Sequence, residues 1–307
     1  MGVVVMAVSD LPNHEATNHD PDGHDPDGLV PRSGPPCPRL RSISGEAALS
    51  LKVSVVIPVK NEAANLPYVF DTIPAWISEV VLVDGRSTDN TVEIALRLRP
   101  DVKVVTQAGT GKGDALLAGF AECGGDIIVA MDGDGSTDGC EIIRFVSALA
   151  AGADFAKGSR FTGGGRSDDI TVGRRCGNRL LLALVNRIFG TRYSDLCYGY
   201  NAFWSRHLGA LAVDCAGFEV ETLMSIRAAK AGLRIHEVPS HERPRLHGTS
   251  KLRAIRDGWR ILRAILREKF GGTAPALPGY RAAVISFAPP PRVAGPDPGA
   301  DTEWESL

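Results

Sequence analysis

The segment Ile127-Ile128-Val129-Ala130-Met131-Asp132-Gly133-Asp134-Gly135-Ser136 is an apolar run that stops abruptly at two carboxylates two positions apart. Such a run reads as a buried strand with the carboxylates at its exposed tip. In open α/β sheets, ligands bind outside the carboxyl ends of the strands. An acidic pair there suits a hard divalent cation and the phosphates it carries. A polar strand-to-helix turn is the competing reading, and Asp138 with Glu141 has the spacing of a capping box for the next helix. That accounts for Asp138 but leaves Asp132 and Asp134 without a structural task, so the pair is assigned to a metal–phosphate site.

Outward from this segment, strands and helices alternate. Upstream, Val53 to Pro58 is a β-branched strand stopped by proline, and a helix follows over Asn65 to Trp76 with Pro67 in its first turn. Glu79 to Asp84 is a second strand ending in a carboxylate; Asp89 is placed to cap a helix through Leu98. Val102 to Thr106 is a third strand, Gly111 to Cys123 a helix, and Asp126 to Met131 the fourth strand. Downstream come a helix over Glu141 to Ala150 and a strand over Asp154 to Lys157. The alternation predicts a mostly parallel sheet with helices on both faces. Beyond a Gly-rich loop from Ser159 to Asp169, the expected elements are a helix over Arg174 to Phe189, a strand over Leu196 to Trp204 and a helix over Glu219 to Ala231. A strand over Arg234 to Val238 and a long helix over Lys251 to Phe270 complete the set.

Composition bounds the rest. Residues 1–48 are rich in Pro, Gly, Asp and His and are read as disordered, with His14, His19 and His24 as solvated side chains. One catalytic domain is expected over 49–271, followed by a Pro-rich disordered tail over 272–307. A formal net charge of −2 excludes a strong nucleic-acid field. Cysteines 37, 123, 140, 176, 197 and 215 show no C-x-x-C spacing and read as buried thiols of a reducing compartment. No apolar run reaches the ~20 residues of a membrane span, and the first residues lack the basic start of a signal peptide. A cytoplasmic protein is expected.

Glu62 and Asp84 also sit at strand ends, so Glu62, Asp84, Asp132 and Asp134 are expected to line one crevice, the first two accepting hydrogen bonds from a base or ribose. Gly109-Thr110-Gly111-Lys112-Gly113 is neither a Walker A loop nor a dinucleotide fingerprint. A helix opening at Lys112 favours an anion, and a flexible turn explains the glycines equally well.

Four motifs in order carry a resemblance: Val56-Ile57-Pro58-Val59-Lys60-Asn61-Glu62, Val81-Leu82-Val83-Asp84-Gly85-Arg86-Ser87-Thr88-Asp89, Gly111-Lys112-Gly113-Asp114-Ala115 and Met131-Asp132-Gly133-Asp134-Gly135-Ser136. They resemble the nucleotide-sugar half of a family-2 glycosyltransferase of the GT-A (Rossmann-like) fold. Gly158-Ser159-Arg160-Phe161, Ser194-Asp195 and Arg245 to Leu252 are similar to the dolichol/polyprenol-phosphate mannosyl- or glucosyltransferase branch. The likeness covers about residues 51 to 268. It implies that Pro58, Glu62 and Asp84 hold the nucleoside of a GDP- or UDP-linked sugar. Asp132 and Asp134 then face the diphosphate and a Mg²⁺ or Mn²⁺ ion, with Ser136 where some relatives carry a Gln ligand. Arg160 and Arg174 face phosphate oxygens, and Lys251 joins Arg160 in stabilising the leaving group. The implied acceptor is a polyprenyl phosphate, which is already ionised; an alcohol acceptor needs a base, for which Asp195 is the first candidate. Glu219 and Glu221 stand behind it as base candidates, with ordinary helix surface as the favoured reading of both. A sugar nucleotidyltransferase fits less well, since that class favours a Gly-rich, Arg-bearing loop where this chain has Val59-Lys60-Asn61-Glu62. A binding protein without catalysis fits poorly with retention of both aspartates.

A lipid acceptor implies a membrane surface. Leu252, Ile255, Trp259, Leu262 and Leu266 recur at helical spacing, and Arg253, Arg256, Arg260, Arg263 and Arg267 follow one position along. With the arginine-bearing helix over 174–189, this predicts a peripheral protein lying on an anionic bilayer. The alternative is that the stripe packs on the domain and the arginines are solvated.

Overall fold

The computed structural model describes residues 51–249 and 253–271. The segments read as disordered, and Lys251 with Leu252, lie outside the described residues.

Seven strands form one sheet in the order β3-β2-β1-β4-β7-β5-β8. β1 (Val53–Val59), β2 (Glu79–Asp84), β3 (Lys103–Thr106) and β4 (Ile127–Ala130) run parallel. β7 (Asn201–Trp204) runs antiparallel between β4 and β5 (Phe155–Ser159), and β5 is parallel to β8 (Ile235–Pro239). A small second sheet pairs β6 (Arg166–Ser167) with β9 (His241–Glu242).

Alternation along the central strands divides the core into two layers. Val55, Ile57, Leu82 and Val129 pack against α1 (Leu66–Thr72) and α4 (Ile142–Ala150). Val56, Val81, Val83 and Ile128 face α3 (Lys112–Ala121) and α7 (Val220–Lys230), where Leu116, Phe120, Leu223 and Met224 meet them. α2 (Thr91–Leu98) lies beside α1, and α6 (Leu208–Leu211) beside α7. A third cluster, with Val185, Ile226, Ile261 and Ile265, joins α7 to α5 (Val172–Phe189) and α8 (Ala254–Phe270).

The expected α/β architecture is present, with instructive differences. α1 stops at Thr72, because a residue preceding Pro74 is pushed out of the helical region; Ile73 is extended at φ −74°, ψ 121°. The capping box is not closed: Asp138 accepts from the Cys140 amide, but Glu141 accepts instead from the His241 amide. The strand expected from Leu196 begins only at Asn201. The Leu196 and Cys197 amides donate to the Asn178 side chain of α5, so this stretch bonds outside the ladder. On α8 it is Asp257, Ile261, Ala264, Ile265 and Glu268 that face inward. The stripe through Ile255, Trp259 and Leu266 is exposed, so it does not pack on the domain.

Candidate active site

β1 has β2 on one side and β4 on the other, so the chain reverses its order of strand placement there. Connections leave such a point in opposite directions and open a crevice at the strand ends. A cleft of about 320 Å³ occupies this position. Pro58, Glu62, Lys112, Asp132, Asp134, Ser136 and Arg174 line it, so seven of the residues singled out in the sequence converge.

Asp132 and Asp134 emerge just beyond β4. The Lys112 ammonium, at the first position of α3, lies 2.5 Å from Asp132 Oδ1 and 2.7 Å from Glu221 Oε1. Burial disfavours its charge, but the two carboxylates outweigh this and raise its pKa above the ordinary lysine value. Gly199 backs this group closely: a Cβ there would stand 2.5 Å from Lys112 Nζ and 2.8 Å from Asp132 Oδ2. Asp134 Oδ1 accepts from the Ser136 amide at 3.0 Å and hydroxyl at 2.6 Å, while Oδ2 pairs with Arg245 at 2.8 Å. Each carboxylate of the strand tip is thus neutralised by a cation of the chain itself.

Among the described residues, no group of three or more His, Cys, Asp or Glu side chains is arranged to hold a metal ion. The donor set at this strand tip is two carboxylates and a hydroxyl. That set fits an ion of the magnesium type, which binds through one or two carboxylates and takes its remaining ligands from phosphates and water.

Arg174 enters the cleft from the start of α5, where Thr171 caps the helix by accepting from the Arg174 amide; its guanidinium pairs with Asp169 at 3.3 Å. The glycine loop before α3 has a packing task. Gly113 donates to Ala216 O and Gly109 to Asp114 Oδ2, so these amides are spent inside the protein. Gly111 sits at φ +95°, and a Cβ there would meet Ala216 O at 2.2 Å. Only Lys112 of this loop turns charge into the cleft.

Residues 54–222 match the family described as glycosyl transferase family 2. The chain belongs to that family. This family-2 glycosyltransferase is 31% identical over 219 residues to "Glycosyltransferase AglJ" of Haloferax volcanii, a match covering 70% of this chain and 71% of that one. It is 30% identical over 246 residues to the "Undecaprenyl-phosphate mannosyltransferase" of Micrococcus luteus, covering 76% of this chain and 98% of the relative. Other relatives that it matches are longer, and the chain spans 64% or 60% of their length. Among solved structures, glucosyl-3-phosphoglycerate synthase from Mycobacterium tuberculosis, in complex with Mn²⁺, UDP-glucose and phosphoglyceric acid, is similar at a TM-score of 0.57 and 26% identity, over 73% of this chain and 81% of that one.

Three residues singled out in the sequence do not reach the cleft of the glycosyltransferase. Asp84 is buried and accepts from the Ser87 amide through both oxygens, so it shapes the turn that brings Gly85 to the cleft wall. Arg160 and Asp195 are spent on one another. Arg160 Nε and Nη2 donate to Asp195 at 2.7 and 3.0 Å, and Nη1 donates to Glu242 at 3.1 Å. Asn178 Nδ2 also donates to Asp195 Oδ1. Burial pushes the Asp195 pKa up, but Arg160 outweighs it and holds the carboxyl below its ordinary value. Such a group is a poor base, and at 0% exposure it is out of an acceptor's reach.

The cleft also contains residues to which the sequence assigned another place or no role. Glu221, expected on the helix surface, is buried and holds Lys112; Gln107, Tyr198 and Glu242 contribute to the wall. Arg245, in the motif shared with the polyprenol-phosphate branch, pairs with Asp134. A buried carboxylate on a mixed helix such as α7 has no local signal, because its partner lies over a hundred residues away in sequence.

Proposed function

We propose that this protein transfers a sugar from a GDP- or UDP-linked donor to a polyprenyl phosphate, with a divalent Mg²⁺ or Mn²⁺ ion assisting departure of the nucleoside diphosphate. The observation that carries the reading is the convergence of Asp132, Asp134, Lys112, Arg174 and Arg245 in one cleft at the strand ends. Relatives at 30–31% identity, named as undecaprenyl-phosphate and dolichol-phosphate sugar transferases, support the acceptor class. The Mn²⁺ and UDP-glucose of the similar solved structure support the metal and donor class.

Asp132 and Asp134, with Ser136 beside them, hold the ion, which when bound supplies positive charge to the departing diphosphate. Arg245 and Arg174 exchange their carboxylate partners for phosphate oxygens as the substrates enter. Lys112, fixed between Asp132 and Glu221, contributes a charge that needs no reorganisation during reaction. Pro58 and Glu62 form the nucleoside end of the cleft, and Asp84 positions the Gly85 turn. Arg160 and Asp195 act at one remove, holding β5, β9 and the start of the segment leading to β7 together. The acceptor phosphate is a nucleophile without help from a base, since its second pKa lies near ~6. This agrees with Asp195 being occupied.

Its acceptor being dissolved in a bilayer, the protein works at the cytoplasmic face of a membrane; among the described residues no helix is long and apolar enough to cross one. The test is a panel of nucleotide sugars read by thermal shift with and without Mn²⁺, followed by transfer to a short-chain polyprenyl phosphate or to phosphoglycerate. Transfer to the polyprenyl phosphate alone is expected. Transfer only to phosphoglycerate would replace the acceptor class, and no transfer with any donor would remove the reading.

A further inference from the structure

A second concavity, of about 420 Å³, lies on the other side of the Gly-rich loop. Phe161 and Arg166 of the loop, Ile170 just after it, and Arg175, Arg179 and Leu182 of α5 form its walls. We propose that it takes the phosphate headgroup of an anionic phospholipid, and that this seats the protein on the bilayer by the outer faces of α5 and α8. The proposal rests on the reading of the protein as a transferase for a lipid-linked acceptor only in its choice of a bilayer as the source of phosphate.

The arginines are available. Arg175 and Arg179 are one helical turn apart, and neither has a carboxylate partner among the described residues. Arg175 instead lies 5.2 Å from the Phe161 ring, which orients it along the wall. Among the described residues Arg166 has an ion pair only with Asp168, at 3.4 Å, exposed on both sides and therefore weak. Arg160 also reaches this wall, but its charge is matched by Asp195 and Glu242. Two fork-shaped donors over an apolar floor of Ile170 and Leu182 fit a phosphate attached to a lipid.

The surroundings fit the rest of that lipid. One position along α5 from the arginines runs an unpartnered apolar stripe, with Val172 80% and Leu180 75% exposed. α8 packs on α5 and leaves Ile255 at 81%, Trp259 at 61% and Phe270 at 77% exposure. α5 contains four arginines and no carboxylate. The two acidic residues of α8, Asp257 and Glu268, are buried, and Glu268 is held by Arg227 and Lys230 at 2.8 Å each. The outer faces of both helices therefore present only basic and apolar side chains. Inorganic phosphate would satisfy the arginines and leave the stripes in water; an anionic phospholipid answers both.

The experiment uses the full chain and vesicles of phosphatidylcholine with or without phosphatidylglycerol, free of isoprenoid lipid. Binding is read by co-sedimentation and by a blue shift of Trp259 emission, with Trp259→Phe as the spectral control. The double variant R175Q/R179Q is compared with R256Q/R263Q, which removes the same charge from exposed positions of α8. Each near-surface charge is worth about a fivefold change in binding by general attraction. R175Q/R179Q is expected to weaken binding to anionic vesicles at least tenfold more than R256Q/R263Q, and inorganic phosphate at millimolar concentration is expected not to displace the protein. Equal losses in the two variants would reduce the site to general electrostatics and overturn it. Displacement by inorganic phosphate would assign the arginines to a free anion. Absence of binding to anionic vesicles would hand the face to a protein partner. Transfer of sugar to a short-chain acceptor in detergent is measured in parallel. In the wild-type protein, transfer without vesicle binding rejects this proposal alone, and vesicle binding without transfer rejects the transferase reading alone.

Discussion

Replacing Arg160 by Met separates two roles for that residue. If Arg160 served only to meet phosphate oxygens, its loss would cost turnover and leave stability unchanged. The structure places its side chain at 2% exposure, donating to both oxygens of Asp195, both oxygens of Glu242 and the Cys197 carbonyl. Removing it leaves the Asp195 charge buried, with only Asn178 and the backbone amide of residue 160 still donating to it among the described residues. Glu242 keeps Ser167 alone as a side-chain donor. Breaking one partner of a buried pair costs about 3–5 kcal/mol, because an uncompensated charge stays behind. For a domain of about 150–250 residues each kcal/mol is worth about 2–4 °C, so a fall in Tm of about 6–20 °C is expected. Urea denaturation followed by tryptophan fluorescence should show a lower midpoint with an unchanged slope. Adding Asp195→Asn to the variant should recover part of the loss, since the orphaned charge is then gone. A Tm within about 2 °C of wild type, with turnover lost, would refute the structural account and return Arg160 to the substrate phosphates.

Three further outcomes are expected. Asp134→Ala should lower turnover by about 10²-fold or more and abolish the Mn²⁺-dependent thermal shift with UDP or GDP, while its circular dichroism stays native; full activity in this variant or in excess chelator would exclude a metal role at the strand tip. Gly199→Ala should raise the KM for the donor about tenfold or more, because the new methyl displaces Lys112 Nζ from 2.5 Å and Asp132 from 2.8 Å; the fold should survive, since the Lys112 tip can move, and wild-type kinetics would show that the Lys112–Asp132 contact is dispensable. The Asp154 carboxyl is held at about 2, below its ordinary value of 3.8, chiefly by the Arg234 hydrogen bond. A depressed carboxylate stabilises the fold above its unfolded pKa and loses that contribution as pH falls towards the folded one. The stability difference between wild type and Arg234→Gln should therefore be full at about pH 5 and shrink below about pH 4; a difference that grows on acidification would contradict the pairing.

Much of the fold was legible in the chain. β-branched runs such as Val53 to Val59 and Ile127 to Met131 bury both faces wherever they fold, and their period and length specify strands. A carboxylate that ends such a run is carried to the sheet edge by the backbone itself. Glu62, Asp132 and Asp134 could therefore be assigned to one crevice before any contact was known. The first turns of α3, with Lys112, and of α5, with Arg174, were equally local, and both deliver charge to that crevice.

What each charge meets once delivered was decided by tertiary packing. Glu221 and Lys112 are brought within 2.7 Å by the docking of α7 beside α3. Arg160 finds Asp195 and Glu242 across three separate segments. Its neighbours in sequence, a strand end and a glycine loop, are those of a surface residue, and only the closure of the chain over it removes it from solvent. α8 shows the same limit for apolar residues. Ile255, Trp259, Leu262 and Leu266 form one stripe, and Ile261, Ala264 and Ile265 form another. Helical period records that a face is apolar; which apolar face is buried depends on where α5 and α7 stand, and they chose the second. Strand and helix follow from interactions between near neighbours, whereas the partner of a charge or the covered side of a helix is fixed by groups far away in sequence, whose positions exist only once the chain has folded.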